Sequence, residues 1–100
     1  MTGAHIYILQ CADGSYYTGI TRREPGERES EHNQGLDPAA WTFTRRPVKL
    51  VWNEYFQRVD EAIATERRIK GWSRAKKQAL IRRDYDVLPS LASRRRKSHP

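Results

Sequence analysis

Residues 7–21 read Tyr7-Ile8-Leu9-Gln10-Cys11-Ala12-Asp13-Gly14-Ser15-Tyr16-Tyr17-Thr18-Gly19-Ile20-Thr21, two strand-like runs around a turn. The turn length decides what the stretch can do. A two-residue Asp13-Gly14 loop would pair Gln10 with Tyr17 and send Tyr7 and Tyr17 to opposite faces. A three-residue loop, Ala12-Asp13-Gly14, pairs Leu9 with Tyr17 and Tyr7 with Gly19, so both tyrosines share a face. Gly14 then takes the left-handed position, which glycine adopts without steric cost. The three-residue loop is the expectation, with Gly19 leaving room beside Tyr7.

The next segment is charged. Pro25 suits the first turn of a helix and Gly35 its end. Between them Arg28 and His32 are four residues apart, on one helical face. This helix has almost no apolar side, and Gly26 costs it about 1 kcal/mol relative to Ala. A polar helix kept in a small domain needs a reason, and Arg28 with His32 supplies one. Two tyrosines, an arginine and a histidine are groups suited to handling a phosphate.

Further on, residues 36–46 read as a loop carrying Trp41 and Phe43. After Pro47, residues 48–56 form an apolar strand pattern. Asp60 is the expected N-cap of a second helix. On that helix Val59, Ala62, Ile63, Glu66 and Ile69 fall on one stripe, which places a carboxylate on the side expected to be apolar. Gly71-Trp72 looks like its stop. Ser73 is the expected cap of a third helix, residues 74–83, whose outer face is basic. Residues 86–100, ending in Arg94-Arg95-Arg96-Lys97 and three further residues, read as a flexible basic tail behind one domain over residues 1–85.

Length and charge bound the answer. One hundred residues make one domain with a modest core. The formal net charge of +7 favours a polyanionic partner, nucleic acid before a membrane surface. Cys11 is the only cysteine, so an intrachain disulfide and a thiolate zinc cluster are both excluded. It is expected to be a small core residue. No signal peptide and no stretch of membrane-spanning length is legible, so the expected location is cytoplasmic, away from membranes.

Five landmarks in order carry a resemblance: Ile6-Tyr7, Tyr17-Thr18-Gly19, Arg28, His32 and a helical Glu66. They resemble the GIY-YIG nuclease family, in its small single-domain bacterial branch. Tyr16-Tyr17-Thr18-Gly19-Ile20-Thr21, His32-Asn33-x-Gly35, Arg46-Pro47, Leu50-Val51 and Glu66-x-x-Ile69-Lys70 fit that branch, over about residues 5–83. The first motif lacks the family's glycine, and the second has Thr18 where the family has Ile. Pro25-Gly26 interrupts a helix that relatives usually fill with helix formers.

The resemblance implies an α+β fold, a three-stranded antiparallel sheet flanked by about three helices. It implies metal-dependent endonuclease cleavage of a phosphodiester, usually in DNA. Glu66 would hold Mg²⁺ or Mn²⁺, Arg28 would grip the phosphate, and Tyr7 would be the general base. His32 would hydrogen-bond a tyrosine or relay its proton, and Tyr17 would position the phosphate or the water. On sequence grounds either tyrosine can be the base.

Each residue also has a plainer reading. Tyr7 and Tyr17 could be ordinary strand tyrosines, and Arg28 with His32 a solvated face beside Glu24 and Glu31. Glu66 could pair with Arg67 or Lys70. Trp41, Trp52 and Trp72 are expected in the core. A non-catalytic nucleic-acid-binding module on the same fold is the alternative function, and an interaction module the third.

Overall fold

The turn after Cys11 closes with three residues. In the computed structural model, which describes residues 3–84, the Cys11 amide donates to the Ser15 carbonyl at 2.8 Å and the Gly14 amide to the Cys11 carbonyl at 2.9 Å. Gly14 has φ +87°. The hairpin therefore joins β1 (Ala4–Gln10) to β2 (Tyr16–Thr21) in the expected register, Leu9 opposite Tyr17 and Tyr7 opposite Gly19.

The third strand, β3 (Lys49–Phe56), pairs antiparallel with the other side of β1, giving the order β2-β1-β3. The register slips between Ile8, opposite Trp52, and Leu9, opposite Leu50, so Val51 is the extra residue of a bulge. Direct partners in a ladder point to the same side. One face carries Ala4, Ile6 and Ile8 with Trp52 and Phe56; the other carries Tyr7 and Leu9 with Gly19, Tyr17 and Leu50. All four of Ile6, Tyr7, Ile8 and Leu9 are buried, as a central strand covered on both faces requires. Cys11 is buried beside Tyr7, Leu9 and Val48, a core residue as expected.

Helix α1 (Pro25–Gln34) has Pro25 in its first turn and ends at Gly35 with φ +67°. Pro25-Gly26 thus opens the helix and does not interrupt it, because proline's fixed φ suits a first turn where no amide partner is needed. Its polar composition has a structural use beyond Arg28 and His32. The Asn33 side chain donates to the Val48 carbonyl at 2.9 Å and accepts from the Val48 amide at 2.7 Å. Glu29 accepts the Leu50 amide at 2.7 Å. β3 is an edge strand, and these side chains satisfy backbone groups that an edge leaves unpaired.

Helix α2 (Val59–Lys70) lies against all three strands, chiefly β2. It begins one residue before the expected cap. The Ala62 amide bonds the Arg58 carbonyl at 3.1 Å, which closes the first turn at Arg58. Asp60 is therefore inside that turn, where a carboxylate still favours the positive helix end. The buried stripe is Ala62, Thr65, Glu66 and Ile69. Ile63 is 37% exposed and Thr65 takes its place, a rotation of the expected stripe.

Residues 71–84 are the described part of a second compact unit. It contains α3 (Arg74–Ile81), capped by Ser73, whose hydroxyl accepts the Lys76 amide at 3.2 Å. The helix stops at Ile81, earlier than expected, and Arg83 has φ +62° just beyond it. The expected tail, residues 86–100, lies outside the described residues. Among the described residues no helix is long and apolar enough to cross a membrane.

Candidate active site

Gly19 explains where the Tyr7 side chain goes. A Cβ at Gly19 would collide with the Tyr7 ring and hydroxyl, so the phenol lies across this position, towards the outer side of edge strand β2. Tyr17, two residues away along β2, points to the same side, and the two ring centroids are 6.3 Å apart.

His32, from the last turn of α1, joins them. Its ring lies 6.4 Å from Tyr7 and 5.1 Å from Tyr17. The Nε2 atom is 3.5 Å from the Tyr7 hydroxyl, at the long end of hydrogen bonding, and Nδ1 is 2.7 Å from the Thr42 hydroxyl. Thr42 is buried, so it fixes the imidazole from behind. Burial, then the charge of Arg28, hold His32 below the usual histidine range, which favours a neutral ring able to accept a proton.

Arg28 lies one turn earlier, beside the Tyr7 phenol. Burial is the largest influence on Tyr7 and raises its pKa; the hydrogen bond from Arg28 opposes this, and Tyr17 adds to the rise. At rest Tyr7 is a neutral phenol. Arg28 donates to Glu31 at 2.6 Å, and Glu31 also takes both terminal nitrogens of Arg23, at 2.9 and 3.0 Å. Those two guanidinium partners hold the Glu31 carboxyl down at about 2.

Tyr17, Arg28, Glu31 and His32, together with Leu36, Trp41, Thr42 and Phe43, line an open cavity of about 390 Å³. Trp41 stacks on Tyr17, centroids 6.1 Å apart at 23°. Contrary to the expectation of a core position it is 44% exposed, because the loop turns its ring towards the cavity. Trp52 is in the core as expected, 2% exposed, and Trp72 is half-buried.

The structure thus brings Tyr7, Tyr17, Arg28 and His32 together. Glu66 is on α2, only 9% of its side chain exposed, and its ion-pair partner among the described residues is Lys70 at 2.8 Å. The plainer reading of Glu66 as a partner of Lys70 is therefore realised, and so is a pairing of Arg28 with Glu31. Neither removes the cluster around Tyr7. Among the described residues no three His, Cys, Asp or Glu side chains are grouped to hold a metal ion. A magnesium-type ion needs only one or two carboxylates, with water and phosphate completing its oxygen shell. A single carboxylate of the Glu66 kind would meet that requirement.

Sequence reasoning gave no site role to Thr42, Glu31 or Trp41. Glu31 had a signal, its i+3 spacing from Arg28 on the same helix. A lone threonine and a lone tryptophan in a loop carry no comparable periodicity.

Comparison with known proteins agrees with the geometry. Residues 3–79 match the GIY-YIG catalytic domain. A UPF0213 protein of Halobacterium salinarum is 47% identical over 77 residues, covering 77% of this chain and 97% of the relative. A UPF0213 protein of Staphylococcus aureus is 40% identical over 82 residues, covering 82% and 98%. Two solution NMR structures are similar. The UPF0213 protein BH0048 from Bacillus halodurans has TM-score 0.52 and 38% identity, covering 80% of this chain and 83% of that one. The E. faecalis protein EF2693 has TM-score 0.58 and 34% identity, covering 85% and 88%. With the hairpin register, the Arg28–His32 pair and this match in agreement, the chain belongs to the GIY-YIG family, among its small single-domain UPF0213 members.

Proposed function

We propose that this protein is a metal-dependent endonuclease that hydrolyses phosphodiester bonds in nucleic acid, with DNA as its substrate. The observation that carries this reading is the Tyr7 phenol set between the His32 imidazole and the Arg28 guanidinium, next to an open cavity. A buried structural tyrosine needs one hydrogen-bond partner for its hydroxyl, and Tyr7 has a base on one side and a cation on the other.

Arg28 binds the non-bridging oxygens of the scissile phosphate through its planar donors. Glu31 holds that guanidinium in place before substrate arrives and stays neutralised by Arg23 when Arg28 turns to phosphate. Tyr7 acts as general base. Its proton passes to His32 Nε2, and the phenolate then takes a proton from the attacking water. Thr42 keeps the imidazole oriented during the transfer. Tyr17, which lines the cavity, positions the phosphate or the water. Glu66 would hold Mg²⁺ or Mn²⁺, which would supply Lewis acidity at the scissile phosphate.

One observation favours a second reading. The Lys70 ammonium sits 2.8 Å from the Glu66 carboxylate, as in a site that has no metal to hold. A non-catalytic nucleic-acid binder would keep the basic surface and Arg28 alone. The test is a panel of duplex, single-stranded and branched DNA incubated with pure protein in Mg²⁺, in Mn²⁺ and in EDTA. Metal-dependent nicking of a panel member supports the nuclease; intact DNA that is nonetheless bound supports the binder.

A further inference from the structure

The cavity beside the cluster is larger than a phosphate needs, and its lining mixes cationic and apolar side chains. Arg28 and His32 line it together with Trp41 and Leu36, which are 44% and 66% exposed. A solvated loop seldom leaves two large apolar side chains open next to a cationic site without a use. The indole is also fixed. Arg45 lies over it, guanidinium carbon 3.9 Å from the ring centroid, and is itself anchored on the Trp41 carbonyl at 2.7 Å and on Asp13 at 3.4 Å. Tyr17 adds an offset stack at 6.1 Å that leaves part of the ring open. The indole is therefore held by two neighbours while Trp41 stays 44% exposed.

We propose that this cavity takes one unstacked nucleobase of the substrate strand, laid against Trp41, while Arg28 holds the adjoining phosphate. This deepens the reading of the chain as a nucleic-acid phosphodiesterase and rests on it. A volume of about 390 Å³ is of the size that small-ligand sites occupy. Base-on-aromatic stacking tolerates every base, since each has a π face, so the site selects an unstacked nucleotide and not a sequence. A duplex must open locally to fill it, which places the cleaved bond next to a base that has left its stack.

The test titrates wild type, Trp41→Phe and Trp41→Ala with a fluorescein-labelled deoxythymidine oligonucleotide in EDTA. Polarisation reports all binding, and tryptophan emission reports the cavity. A matched oligomer of abasic residues is the second ligand. Quenching of wild-type emission that disappears in Trp41→Phe is expected. Trp41→Ala should bind the deoxythymidine oligomer roughly tenfold more weakly, with Trp41→Phe in between, and all three should bind the abasic oligomer equally. Equal binding of the deoxythymidine oligomer by wild type and Trp41→Ala overturns the base site, and so does an equal loss on both oligomers. Cleavage in Mg²⁺ is scored separately. Wild type that cleaves while Trp41→Ala loses no affinity sinks the base site alone. Wild type that shows the Trp41-dependent quench and never cleaves supports the base site and sinks the hydrolase.

Discussion

The ring of Tyr7 occupies the space that a side chain at Gly19 would need, on the strand next to it. The glycine therefore acts through the tyrosine. Gly19→Ala should lower stability by about 1–3 kcal/mol, the usual cost of overpacking a filled core, because the Tyr7 ring is 1% exposed and has nowhere to go. Urea unfolding measures it. An unchanged midpoint would mean the ring moves freely.

Thr42 is the second support. Thr42→Val keeps the shape and removes the oxygen 2.7 Å from His32 Nδ1. A buried polar atom left without its partner costs about 1–3 kcal/mol. Nitrogen NMR of the imidazole should also show a changed tautomer balance. If neither the midpoint nor the imidazole shifts respond, Thr42 does not hold the ring.

His32 predicts a pH effect. Its pKa is lower folded than unfolded, so the unfolded chain binds more protons as pH falls. The stabilisation is complete above the unfolded value of about 6.5 and is lost as pH falls through the folded value. Glu31, held at about 2, acts in a separate window below its ordinary 4.5. Denaturant midpoints between pH 7.5 and 5 should fall in wild type and fall less in His32→Gln. Parallel curves would contradict the assignment.

Glu31 both restrains and neutralises. Glu31→Gln removes a negative charge from the cavity wall while loosening the Arg28 side chain. DNA binding at low salt should strengthen severalfold and turnover should drop, since positioning is lost as charge is gained. Turnover rising with affinity would show that Glu31 only inhibits.

Asn33 ties α1 to the edge strand through the Val48 amide and carbonyl. Asn33→Ala should cost about 1–3 kcal/mol and loosen the helix that carries Arg28 and His32. Hydrogen exchange of the Val48 amide, compared between wild type and variant, checks the second effect. Equal protection would place the strength of this junction elsewhere.

The hairpin was legible because period-two alternation and one glycine leave few registers open, and the pairing of Tyr7 with Gly19 follows from loop length alone. Arg28 with His32 was legible from helical spacing. The α2 stripe was legible only in part: hydrophobicity favours Ile63, and tertiary packing turns Thr65 inward in its place. Trp41 and Thr42 were not legible as site residues, because their placement depends on how an irregular loop crosses the end of α1. The Glu66–Lys70 pair was legible from i+4 spacing, but spacing does not say whether the carboxylate also meets a metal.

The deciding experiment incubates wild type and Glu66→Ala side by side with labelled DNA in Mg²⁺, scoring cleavage and binding together. Wild type should cut and the variant should bind without cutting. Equal cutting by both proteins would contradict the role of Glu66, and wild type that binds every DNA without cutting any would contradict the enzyme itself.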